Sequence, residues 1–251
     1  MFAGQLNGLV KENFGERFYG VYIDDYKLGY IAHRLSQNKN EVIADFSINM
    51  RMPVSLSKEE VEGAKYTFSQ TVTRHIFDKK TGFLSQMSET HREKHHVDYN
   101  SLLENRHFKE KIWTLTAEYI GNYTYEVVDT SNDETQEGFY KLPILHMVDH
   151  FAEINFIHSN PEVGEMRQIG VSDLDFKNGI YSSLSLTLKQ KIKIDAVDEE
   201  YQYVVYLELD DGDTSILTVD QFGNLIAGEM FGLQVIREAK DQAMALDSKK
   251  I

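Results

Sequence analysis

Hydrophobic residues recur with a period of two over most of residues 18 to 225, the spacing that puts alternate side chains on one face of a strand. Phe18 to Ile23 and Tyr26 to Leu35 flank Asp24-Asp25 and predict a hairpin with a tight acidic turn. Further strands are predicted over 41–52, 64–77 and 83–96, and over 112–128 through Trp113, Leu115, Ala117 and Tyr119. The acidic stretch Ser131 to Gly138 reads as a loop and a boundary between two halves. Beyond it the period lengthens. Leu145, Val148, Phe151, Ala152 and Phe156 can share one helical face, which predicts a helix over 142–157. Strands resume over 166–176, 181–196, 201–209 and 215–218, separated by turn residues such as Asn178-Gly179.

The ends of the chain change period again. Phe2, Leu6, Leu9, Val10 and Phe14 fall on one helix face, predicting a short amphipathic helix within residues 1–15; Ala239, Ala243, Met244 and Leu246 suit a helical tail over 237–249. One echo stands out. Asp78 to Gly82 and Asp220 to Gly223 both follow an apolar strand, and each supplies an Asp to cap a turn and a Gly to take positive φ. The expected fold is mainly β: a large curved antiparallel sheet, half-barrel-like, with one internal helix and short terminal helices. Residues 16–138 form a first β half and 139–251 a second, candidates for an internal relationship within one continuous domain.

Composition supports this picture and narrows the partners. Fourteen Phe, fourteen Tyr and one Trp among 251 residues, with only three Pro, describe a β-rich chain long enough to bury a core. A net charge of −14, from 26 basic and 40 acidic residues, works against nucleic acid as a partner. The basic run Lys189 to Lys193 alternates with Gln190 and Ile192 and reads as one solvated strand face. With no cysteine there are no disulfides, thiolate metal sites or cysteine nucleophiles. No window reaches the ~20 apolar residues of a membrane helix, and the N-terminus lacks the apolar core of a signal peptide. The expectation is therefore a cytoplasmic protein, or an extracytoplasmic one whose targeting segment is not in this sequence.

Candidate chemistry is sparse. His146 and His150 stand four residues apart on the predicted helix, with Glu153 one turn on, so a metal-dependent hydrolase using these three is one reading. The zincin pattern requires Glu directly after the first His, and that position is Met147. His91, His95 and His96 form a second set, but on a strand His96 points away from the other two. There is no G-x-S-x-G elbow and no phosphate-cradling glycine loop, and the acidic pairs miss the spacing of a calcium loop, so no cofactor is expected. The alternative is a binding surface. Aromatic residues in strand-like runs, chiefly Trp113, Tyr119, Tyr66 and Phe68, exceed what the predicted helices can cover and suit a groove for a protein partner or an apolar small ligand near Trp113.

Glu16-Arg17-Phe18-Tyr19-Gly20-Val21-Tyr22, followed by Lys27-Leu28-Gly29-Tyr30, resembles the opening of the β-rich accessory region that precedes the catalytic core in bacterial transglutaminase-like proteins. Val219 to Leu225 and Gly232 to Ala243 are similar to that region's ending, so the resemblance covers about residues 16 to 245. A broader likeness is to periplasmic lipoprotein-carrier-type half-barrels. The resemblance implies a non-catalytic, extracytoplasmic accessory or binding module. The family's Cys-His-Asp core has no counterpart in this sequence, so its acyl-transfer chemistry passes to no residue here.

Overall fold

A computed structural model of the chain describes residues 9–53, 66–95, 109–131, 134–194, 200–210, 212–230 and 232–245. After a 3-10 turn at Lys11–Asn13 come β1 (Gly15–Ile23), β2 (Tyr26–Gln37), β3 (Glu41–Pro53), β4 (Tyr66–Asp78), β5 (Leu84–His95), β6 (Lys109–Gly121), β7 (Thr124–Ser131) and β8 (Glu134–Lys141). Two short helices follow, α1 (Met147–His150) and α2 (Ala152–His158). The second run of strands is β9 (Met166–Asp175), β10 (Ile180–Lys193), β11 (Tyr201–Leu209), β12 (Thr214–Asp220), β13 (Leu225–Met230) and β14 (Leu233–Glu238), closed by α3 (Lys240–Met244).

The fourteen strands make one antiparallel sheet in the order β8 to β1 and then β14 to β9. Each run is a meander, and the two join where β1 pairs with β14, Phe18 opposite Glu238 and Tyr22 opposite Gln234. The expected mainly β, curved antiparallel architecture is the one that forms. β8 and β9 are its edges and are not hydrogen-bonded to each other, so the sheet stays open. It is nevertheless strongly curled. The Phe176 ring, just past β9, lies 5.0 Å from Tyr125 in β7, and a Cβ on Gly179 would sit 3.0 Å from the Tyr140 ring in β8.

Alternation decides which face turns inward. Along β7, Tyr125 and Val127 are buried while Glu126 is exposed. The α1–α2 connection crosses the concave side and divides its core in two. Met147, Phe151 and Ile154 pack with Leu35, Phe77, Leu115 and Tyr125 of the first run; Ala152, Phe156 and Ile157 pack with Leu186, Val205 and Val219 of the second. Each fully buried Leu, Val or Phe contributes roughly 1.5–3 kcal/mol.

Both echoed turns hold these helices. Asp78 Oδ1 accepts the Thr81 N–H at 2.7 Å and Gly82 takes φ +76°; Asp220 Oδ1 accepts the Phe222 and Asn224 N–H groups, each at 2.9 Å, and Gly223 takes φ +77°. The Gly82 carbonyl accepts the Met147 N–H at 2.8 Å, and a Cβ on Gly223 would lie 2.5 Å from Ile154 Cα.

Several sequence expectations are corrected. Residues 131–138 are not a boundary loop: Glu134–Lys141 forms β8 and pairs with β7, Val128 opposite Glu137. An edge strand with one solvated face tolerates the acidic residues that suggested a loop. The strand predicted over 112–128 folds back at Gly121, Asn122 and Tyr123, all at positive φ, to become β6 and β7. The helix predicted over 142–157 begins only at Met147 and breaks at Phe151 (φ −105°, ψ 48°). Its first residues are extended instead, because His146 bridges to Phe83 and the Leu145 carbonyl accepts the Leu84 N–H. At the N-terminus Phe2 and Leu6 lie outside the described residues; Leu9 and Phe14 do pack on the core, but through a 3-10 turn and not a helix. Arg237 and Glu238 belong to β14, and the described part of the tail is helical only over Lys240–Met244. The Lys189–Lys193 run does not share one face. A bulge between Leu188 and Gln190 turns Lys191 over the Tyr201 and Tyr203 rings and leaves Lys189 over Tyr206 on the other side.

Candidate functional site

Ladder register across β2 to β7 sorts the concave face into rows. The row against α1 is Leu35, Ala44, His75, Met87, Ala117 and Val127, mostly apolar and all buried. The next is His33, Phe46, Thr73, Glu89, Leu115 and Asp129; the third is Ile31, Ile48, Thr71, His91, Trp113 and Ser131. Polarity therefore rises away from the helices, and in the third row aliphatic groups stand on β2 and β3 and hydrogen-bonding groups on β4 to β7.

Three imidazoles meet at the inner edge of this surface. His33 stacks on Phe46 with ring centroids 4.3 Å apart, while His75 and His150, the latter supplied by α1, are edge to face at 4.6 Å. Phe77 lies 5.2 Å from His150. Burial lowers His33 to about 4, assisted by the charge of Arg17. It lowers His75 to about 3, assisted by His150, and His150 to about 4, assisted by His33. All three are thus neutral near pH 7. Carboxyl groups face them from neighbouring elements. Burial raises Asp173 in β9, with His75 opposing, and raises Glu89, whose bond to Thr73 Oγ1 at 3.5 Å opposes it.

The same face concentrates polar atoms that find no partner among the described residues. His33 Nε2, His75 Nδ1, His150 Nε2, Trp113 Nε1 and Asp129 Oδ1 are each shielded from solvent without a hydrogen bond there. An orphaned buried group of this kind costs about 1–3 kcal/mol, and native structures keep few of them. Trp113 is half-buried, with Lys177 Nζ 5.1 Å from its ring centroid; beside it Thr71 Oγ1 and His91 Nδ1 are 2.9 Å apart.

Of the four aromatic residues singled out in the sequence, Trp113 and Tyr119 share the concave face. Tyr119 lies deeper, its ring 5.3 Å from Tyr125. Phe68 is on the convex side, where Arg51 sits 5.8 Å from its ring; out of phase with Thr71 and Thr73, it cannot line the same groove. Tyr66 opens β4, and its side chain lies outside the described residues. The His146, His150 and Glu153 set is not brought together. His146 precedes α1 and packs edge-on against Phe83 at 4.7 Å, His150 turns to His75, and Glu153 on α2 faces the Tyr19 side, where burial raises its carboxyl. Among the described residues no group of three or more His, Asp or Glu side chains is placed to share a metal ion. His96 is outside the described residues, and so is the His95 side chain.

Sequence reasoning did not single out His33, His75, Glu89 or Asp129, and it weighed Asp173 only with Asp175, as an acidic pair for calcium or a turn. A signal existed: Asp129 continues the inward series Tyr125, Val127, and His75 precedes Phe77 in another, so both are polar residues at core-facing phase. Comparisons with protein-family models, curated proteins and solved structures give no match for this chain.

Proposed function

We propose that this chain is a non-catalytic binding module that seats a partner protein or a partly apolar small ligand on the concave side of its sheet, around Trp113. The observation that carries the reading is a half-buried Trp among the partly exposed polar side chains of Thr71, Glu89, His91 and Asp129 on one inward-facing surface. Ile31 and Ile48 extend that surface as an apolar strip, and Ile48 is exposed. The resemblance of residues 16–245 to the accessory region of bacterial transglutaminase-like proteins supports an extracytoplasmic, enzyme-associated role.

Trp113 is the single tryptophan, so its fluorescence reports the site directly. Titration with a hydrophobic dye, or with neutral phospholipid vesicles, should shift its emission. A silent Trp113 throughout, with no dye bound, would remove the physical basis of the proposal.

A further inference from the structure

We propose that α1 is an acid-operated strap: it lies on the sheet while His33, His75 and His150 are neutral and lifts away when they take up protons, leaving the strands paired. This device is separate from the binding role of the concave face and does not depend on what Trp113 holds.

The strap is hinged at both ends. α1 is a single turn, Met147–His150, set between the extended residues 142–146 and the bend at Phe151 (φ −105°, ψ 48°). Its backbone is tied to the sheet through the Met147 N–H, on the Gly82 carbonyl at 2.8 Å, and to α2 through the Val148 carbonyl, which accepts Asn155 Nδ2 at 2.8 Å. The strands beneath are held by long ladders, β3 to β2 on one side and to β4 on the other, so one turn opens far more readily than the sheet. Lifting it uncovers Leu35, Ala44 and Phe77, all buried when it is closed, and turns core into apolar surface.

The force that lifts it arises between helix and sheet. His150 meets the His75 ring at 4.6 Å, Phe77 at 5.2 Å and Phe46 at 6.3 Å, and His33 stacks on the same Phe46. His33 Nε2, His75 Nδ1 and His150 Nε2 find no acceptor among the described residues, so an added proton there is a poorly compensated charge in an aromatic setting. Charged neighbours do little to relieve it. Arg17 from β1 opposes a proton on His33, and Asp45 from β3 favours one; Asp173 from β9 favours a proton on His75, and the Ser172 backbone favours one on His150. Burial raises Asp173, so its charge disappears as pH falls. Asp149 on α1, Glu153 on α2 and Glu89 in β5 are also raised, and they favour the closed form only as far as lifting α1 wets them. Asp129 in β7 stands at the far end of the His33 row. Once α1 lifts, water surrounds the imidazoles, the open form binds more protons than the closed one, and acid favours it.

Hydrogen exchange of the full chain between pH 7 and 4.5, read by mass spectrometry and corrected for the intrinsic pH dependence of amide exchange, tests this. The Asp149, His150 and Phe151 amides, bonded within the turn, should open at least about a hundredfold more at pH 4.5 than at 6.5, about tenfold per pH unit for each imidazole kept neutral only in the closed form. Amides of β3 should keep their protection. The rise should shrink by about tenfold or more in His150→Gln and in His75→Gln. Phe151→Ala should loosen α1 at every pH and leave the slope unchanged, which separates proton uptake from packing. Because the slope is read, a variant less stable at every pH still reports. A rise below about tenfold, a rise unchanged in both His variants, or β3 amides losing protection in step with those of α1 overturns the inference.

Discussion

His33, His75 and His150 make stability depend on pH in a definite direction. Their folded-state values of about 4, about 3 and about 4 lie below the 6.5 of a free imidazole, so between these limits the unfolded chain binds more protons than the folded one. Stability is full above pH 6.5 and is lost as pH falls towards 4, by roughly 1.4 kcal/mol per unit for each group that stays neutral in the fold. The raised carboxyls of Glu89, Asp149, Glu153 and Asp173 work the other way, since they take up protons more readily when folded. The imidazole share is therefore read as a difference: the melting temperature should fall from pH 6.5 to 4.5, and fall less in His150→Gln. Equal slopes for the two proteins would refute it. Backbone crowding gives a second check at this scale. A Cβ on Gly29 would lie 1.9 Å from the Asn49 carbonyl oxygen, whereas one on Gly170 meets nothing within 4 Å. Gly29→Ala should cost about 2–4 kcal/mol by prising β2 from β3, and Gly170→Ala should be neutral within about 0.5 kcal/mol, both measured by urea unfolding.

Between elements, the β1–β14 seam is locked by a buried ion pair. Lys27 Nζ lies 2.7 Å from Glu238 Oε2 and donates to the Gln242 carbonyl at 2.6 Å, while the Tyr22 hydroxyl donates to the same Glu238 carboxylate. Both charged side chains are only 5% exposed. Removing one partner strands the other, so Glu238→Ala should destabilise by about 3–5 kcal/mol, and Lys27→Met in the same chain should recover part of that loss. An additive double variant would show that the pair is not coupled. Elements differ in how far the sequence announces them. Long alternating strands such as β2 and β3 were legible because apolar residues recur on one face, Ile31 and Leu35 in the first and Val42, Ala44, Phe46 and Ile48 in the second. β8 was not, since an edge strand with a solvated face carries the composition of a loop. The β6–β7 turn was missed because Tyr123 takes a positive φ usually left to Gly or Asn, and 142–146 was read as helix because nothing local records its bridge to Phe83.

For the molecule as a whole, the sheet's curvature and the inward placing of Trp113 and Tyr119 followed from periodicity, but the imidazole cluster did not. It is assembled by three segments, β2, β4 and α1, whose residues are 42 and 75 positions apart, and only the curl of the sheet brings them together. The same separation governs the seam. Every other neighbouring pair of strands is consecutive in the chain, whereas Phe18 meets Glu238 across 220 positions. During synthesis β1 can shelter one side against β2 almost at once, yet its other backbone edge has no partner until β14 has been made. Loop closure over that distance is entropically the most demanding contact in the fold. For most of its time on the ribosome the nascent chain therefore presents Phe18, Tyr19 and Val21 along an open edge, the kind of surface on which nascent chains aggregate or recruit a chaperone. The earliest of the fourteen strands is the last to be fully enclosed.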